Sequence, residues 1–168
     1  MATKVNPVTG ALDYYEQALP QFRNKIINGG MKISQRGTSF SFTHTGTTLA
    51  YAVDRFRVQV ANTDEYDCTV SQYSMTSAEL NTTGHSNALK LLTGTAESAI
   101  ADNEMVNILY KTEGQDVQDL QYGTASAKSM TLSFWVKSSI TGTYGVTGYK
   151  DDSTSRIINR TYTINSAN

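Results

Sequence analysis

From Ile26 onward, apolar residues recur at every second position in short runs separated by polar turns. Ile26-Ile27 leads into Asn28-Gly29-Gly30, a turn signal, after which Met31, Ile33 and Gln35 alternate with Lys32, Ser34 and Arg36. Residues 39–42 alternate again. Further on, Phe56, Val58 and Val60 share one face while Arg55, Arg57 and Gln59 take the other, as in a sheet with one wet side. Tyr66, Cys68 and Val70 repeat the pattern, and 88–93 and 106–110 are further strand candidates. The clearest strand is 130–137, with Met130, Leu132, Phe134 and Val136 opposite Thr131, Ser133, Trp135 and Lys137. Ile140-Thr141-Gly142-Thr143 then turns the chain into a strand with Tyr144 and Val146, and 158–164 is the last. About eight or nine short strands joined by polar turns predict a mainly β fold, a sandwich of jelly-roll type.

Two stretches carry helical spacing instead. Leu12, Tyr15 and Leu19 fall at i, i+3 and i+7, with Asp13 and Glu16 early and Pro20 placed to end the run. A helix this short is marginal in water without a partner surface. Residues 1–23 therefore read as a partly helical arm, either folded back on its own domain or docked to another subunit. The second stretch, 115–122, places Val117 and Leu120 on one side and ends at Gly123, a natural C-terminal stop. The β domain spans 24–168.

Composition narrows the function more than the fold. The 168 residues suit one domain with an attached arm, and 14 basic against 15 acidic side chains leave a net charge of -1. That balance lacks the basic face of a nucleic-acid binder. The charged fraction is 17%, and Thr, Ser, Asn and Gly fill the gap, a mix that favours strands and turns. No apolar run approaches the ~20 residues that cross a bilayer, and residues 1–10 have no signal-peptide pattern. No membrane insertion is expected, and a protein acting outside a cell would leave by a route such as lysis.

Candidate chemistry is sparse. The single Cys68 cannot form an internal disulfide, and with only His44 and His85 beside it a Cys/His metal site falls short of ligands. Cys68 is expected as a small buried apolar side chain. Both histidines lie in loops, His44 with no serine elbow beside it, and read as solvated rather than catalytic, and the glycines mark turns rather than a phosphate cradle. Asp64, Glu65 and Asp67 cluster in a turn that offers oxygen to calcium, but not with the spacing of an EF-hand loop. A solvated acidic turn is the simpler reading, as for Asp151 and Asp152. No catalytic residue, metal or cofactor is assigned, and the protein is expected not to be an enzyme. The suggestive feature is Trp135 on the polar face of its strand. Such a ring can stack on a sugar, with Lys137 or Ser133 supplying hydrogen bonds, though a packed ring is the more economical reading. Tyr144, Tyr149 and Tyr162 are open to the same two readings.

Four stretches are less generic. They are the run from Asn24 to Phe40 through Asn28-Gly29-Gly30-Met31-Lys32-Ile33-Ser34-Gln35-Arg36-Gly37, and the step Asp54-Arg55-Phe56. The third runs from Lys111-Thr112-Glu113-Gly114-Gln115 through Leu120-Gln121-Tyr122-Gly123-Thr124 into Leu132-Ser133-Phe134-Trp135-Val136-Lys137-Ser138. The fourth is Thr161-Tyr162-Thr163-Ile164-Asn165. Together they resemble a carbohydrate-binding-module-like jelly-roll of tail fibres and other appendages of phages, often aquatic. The chain departs at Phe56, where the family has Trp, and in ending at Asn168, where family members usually continue. The resemblance implies a structural virion protein, a homotrimeric tail fibre or appendage subunit that takes part in host attachment. Its N-terminal arm would dock to other virion proteins such as tail or adaptor subunits through Leu12, Tyr15 and Leu19. A chain longer than 168 residues is the favoured expectation, with strand sharing between subunits as the alternative. A glycan-binding module using Trp135 on a host surface glycan, or a capsid decoration protein, are the competing functions.

Overall fold

The structure, a computed structural model, describes residues 3–5, 12–14, 24–43, 47–150 and 154–167, with backbone alone for 3–5 and 12–14. The chain divides into two units, Met1–Ser129 and Met130–Asn168, a boundary that the periodicity does not mark.

The first unit holds a mainly β architecture, every sheet antiparallel. Strands β1 (Thr3–Val5) and β2 (Leu12–Tyr14) pair with each other. One three-stranded sheet has the order β3 (Ser39–Phe42), β6 (Cys68–Ser74), β7 (Asn87–Thr93). The other has the order β4 (Thr48–Val53), β5 (Phe56–Ala61), β8 (Met105–Tyr110). The inward positions of both sheets meet in one core of Phe42, Ala50, Ala52, Val58, Val60, Cys68 and Val70. Alternation holds along β5 up to Val60: Phe56, Val58 and Val60 are buried, while Arg57 and Gln59 stay half-exposed. The two sheets therefore form a small β-sandwich held by hydrophobic burial on their facing sides.

Several expectations need correction. Leu12–Tyr14 is a strand, not the opening turn of a helix. Leu-Asp-Tyr also alternates, and a short helical stripe is too weak to outweigh pairing with β1. Tyr15 and Leu19 lie outside the described residues. Residues 31–36 form no strand, because Asn28 and Met31 take left-handed φ values of 59° and 55° and turn the backbone away. Residues 130–137 belong to no ladder either. The stretch 115–122 is not α-helical but a 3₁₀ helix, Gly114–Leu120, without a side-chain N-cap. It stops at Gln121 (φ 54°) rather than at Gly123, and its Leu120 is buried.

One helix is unexpected. α1 (Ser77–Thr83) opens on a capping box in which Thr76 and Glu79 bond reciprocally, and it closes on Gly84 at φ 73°.

The second unit is an antiparallel hairpin of β9 (Gly142–Lys150) and β10 (Arg156–Ile164). Tyr144 and Tyr162 sit directly opposite and stack at 5.6 Å, and Phe134 meets Tyr162 edge-on at 5.3 Å. None of its described residues is buried. A two-stranded hairpin of this kind is marginal alone in water.

Candidate functional site

The most heavily connected polar region of unit 1 surrounds the Asp54-Arg55 turn between β4 and β5. Arg55 occupies the left-handed region (φ 76°), which an L side chain enters at some cost. Neighbouring groups hold it there. The Asp54 amide donates to Ile33 O at 2.9 Å, and Asp54 Oδ1 accepts from the Gln35 amide at 3.1 Å. Asn28 Nδ2 donates to Asp54 O at 2.9 Å. Arg55 donates to Glu113 Oε1 at 2.9 Å and to Lys111 O at 3.2 Å, with Asp116 at 3.7 Å.

Tyr110, at the end of β8, is the second anchor. Its hydroxyl accepts from the Ile27 amide at 2.8 Å, and its ring lies against Phe56 at 5.1 Å. Phe56 is buried, so the position where the resembling family carries Trp keeps an apolar anchor. Lys25 pairs with Asp119 at 2.7 Å.

Beside the turn, Gln35, Arg36, Tyr51, Asp54 and Arg55 line an open cavity of about 300 Å³. Arg36 lies over the Tyr51 ring at 4.6 Å and so covers the face a planar ligand would use. The arrangement is a cross-braced corner. It ties the chain's entry (24–38), the β4–β5 turn and the 3₁₀ helix to one another.

Its electrostatics give a pH signature. The Arg55 guanidinium bonded to Glu113 holds that carboxyl below its usual range, and the Lys25 ammonium does the same for Asp119. A carboxyl whose folded pKa is depressed contributes stability above its unfolded pKa, near 4, and loses it as pH falls through the lower folded value. Thermal melts of unit 1 are therefore expected to be flat from neutral pH down to about 5 and to decline modestly below about 4. Glu113→Gln should flatten part of that decline, and an unchanged acid limb in Glu113→Gln would show that the pair carries none of it.

The other sequence candidates are scattered. Cys68 is buried in the core, and burial pushes its thiol pKa up, keeping it in the unreactive thiol form. Of the acidic turn, Asp64 meets Glu97 and Glu104, their oxygens within 4.8 Å of one another. Glu65 and Asp67 turn elsewhere, to the Ser98 amide and the Thr95 hydroxyl. The three carboxylates are exposed or half-exposed, and acidic groups of this kind are common without a metal. His85 lies after α1, while His44, Asp151 and Asp152 are outside the described residues. Trp135 is 63% exposed. Tyr144 and Tyr162 are instead engaged with each other. Asn28, Tyr110 and Glu113 had no periodic signal, because their roles arise between residues far apart in sequence. No family model matches the chain, and no curated protein or solved structure matches it either.

Proposed function

We propose that this chain is a structural subunit of a phage tail fibre or similar virion appendage, working in host attachment and not as an enzyme. The observation that supports it is the convergence of the resembling residues. Asn28, Gln35, Asp54, Arg55, Phe56 and Glu113, drawn from three separate stretches of the resemblance, meet in one bracing network at the corner of a β-sandwich. They brace the fold. In this reading a jelly-roll completes the sandwich, residues 1–23 form the attachment arm with Leu12, Tyr15 and Leu19 as its docking side chains, and the subunit is a homotrimer bound to tail or adaptor proteins. Mass spectrometry of purified particles of the source virus is the test: peptides of this chain should be present at structural stoichiometry. Their absence would overturn the reading.

A second reading, a glycan-binding surface, is favoured by the exposure of Trp135. Trp135→Ala should then abolish retention on a glycan array while leaving the melting curve of the protein unchanged. Equal retention by the parent and the variant would remove Trp135 from any sugar site.

A further inference from the structure

The two sheets of the sandwich have four edges, and three are protected against pairing with another chain. β3 is only four residues long, β4 has a register shift between Ala50 and Val53, and β7 carries Lys90. Short strands, irregular registers and an edge lysine are the usual devices that blunt an edge. β8 has none of them. Its sequence Met-Val-Asn-Ile-Leu-Tyr contains no charge and no proline, and it pairs with β5 in unbroken register over all six residues. No backbone hydrogen bond to β8 other than those with β5 is found among the described residues.

The apolar face of β8 is also left open. Val106 and Ile108 stand opposite Val60 and Val58, both of which are buried. Yet Val106 is 41% exposed and Ile108 54%. Leu89 and Leu91 of β7 are likewise only partly buried against the core. The sandwich is thus unsealed along β8 and lacks one strand's worth of apolar cover.

The chain carries a run of the matching kind. Residues 130–136 are uncharged and alternate strictly, with Leu132, Phe134 and Val136 on one side, and they take part in no ladder. We propose that β8 accepts segment 130–136 of a second copy of this chain as an added strand. Leu132, Phe134 and Val136 then lie beside Val106 and Ile108 on the inner face, and Trp135 stays on the outer face of the sheet. Strand addition of this type takes its affinity from backbone hydrogen bonds and its register from alternate side chains.

Two further observations point to a second copy as the occupant. Unit 2 exposes nine large apolar residues among those described. Leu132, Phe134 and Val136, on the side that meets β8, are 60%, 50% and 49% exposed. The units also differ in charge: residues 130–168 carry four basic and two acidic side chains, residues 1–129 ten and thirteen. A basic unit 2 thus meets an acidic unit 1 when copies exchange strands.

The inference rests on the homo-oligomeric part of the proposed function, and the experiment separates the two. Light scattering after size exclusion is run on the full chain, on the acceptor variant Val106→Lys/Ile108→Lys and on the donor variant Leu132→Lys/Val136→Lys. All four substituted positions are exposed, so circular dichroism should match the parent. The parent is expected as an oligomer and each variant as a monomer. A mixture of the two variants should yield a 1:1 dimer, because one intact edge and one intact segment remain. A monomeric parent overturns both the oligomer and the strand exchange. An oligomer that survives in either variant, or a mixture that stays monomeric, overturns the strand exchange and leaves the oligomer standing.

Discussion

Val58→Asp is expected to abolish the cooperative thermal transition of the sandwich. Val58 lies at the middle of β5, the central strand of its sheet, and is 0% exposed. Its neighbours are the apolar side chains of both sheets, so a carboxylate there would find no cation and no donor. A buried, unpaired charge costs several kcal/mol even after relaxation. Total stability of a domain is only about 5–15 kcal/mol, so one such charge removes much or all of it. Val58→Thr keeps the shape and buries a hydroxyl without a partner, at a cost of about 1–3 kcal/mol. Leu49→Asp on β4 is the control. Leu49 is half-exposed and points away from the core, and its change should stay within about 0.5 kcal/mol. Circular dichroism melts of the three variants decide the matter. A Val58→Asp protein that melts like its parent would mean that the two sheets do not share this core.

The legibility of β5 and the failure at 31–36 and 130–137 have one physical explanation. Alternation states which side chains share a face, but a strand also needs a neighbour to supply its hydrogen bonds. In β5 both conditions hold, since β4 and β8 flank it. At 31–36 the pattern is present, yet the amides of Lys32 and Ile33 donate to Asn28 Oδ1 and that of Gln35 to Asp54 Oδ1. The backbone is spent on side chains. At 130–137 the pattern is the strongest in the chain, yet among the described residues no strand pairs with it. The helix α1 errs in the other direction. Leu80 is its one large apolar side chain, so no 3.6-residue stripe marks it, although Thr76, Glu79 and Gly84 spelled its two ends.

The candidate site is barely legible in the sequence. Periodicity assigns Asp54, Arg55 and Phe56 merely to a turn and a strand start. What makes them a brace is contact across the chain: Asn28 to Asp54 over 26 residues, Arg55 to Glu113 over 58, and Ile27 to Tyr110 over 83. Charge and turn propensity act locally and cannot specify partners at such distances.

Asn28 is where the brace should prove most sensitive. Its side chain makes four hydrogen bonds. Oδ1 accepts from the amides of Lys32 and Ile33, both at 3.0 Å, and Nδ2 donates to Ile33 O at 3.0 Å and Asp54 O at 2.9 Å. Its backbone sits at φ 59°, where Asn is among the few non-glycine residues that settle readily. Asn28→Gly keeps the backbone and loses the bonds. Each is worth about 1 kcal/mol net and water replaces part of them at this half-buried position, so a loss of about 2–3 kcal/mol is expected. Asn28→Ala loses the same bonds and adds a left-handed Cβ, for about 1 kcal/mol more. Asn28→Asp preserves the two accepted bonds but sets a carboxylate against the carbonyls of Ile33 and Asp54, so it should fall near Gly and improve when acidified toward pH 4. The expected order of melting temperatures is parent, then Gly and Asp, then Ala. Three variants lowered equally would show that the φ value carries no cost. An Ala variant as stable as the parent would mean that the Asn28 bonds do not hold the β4–β5 turn.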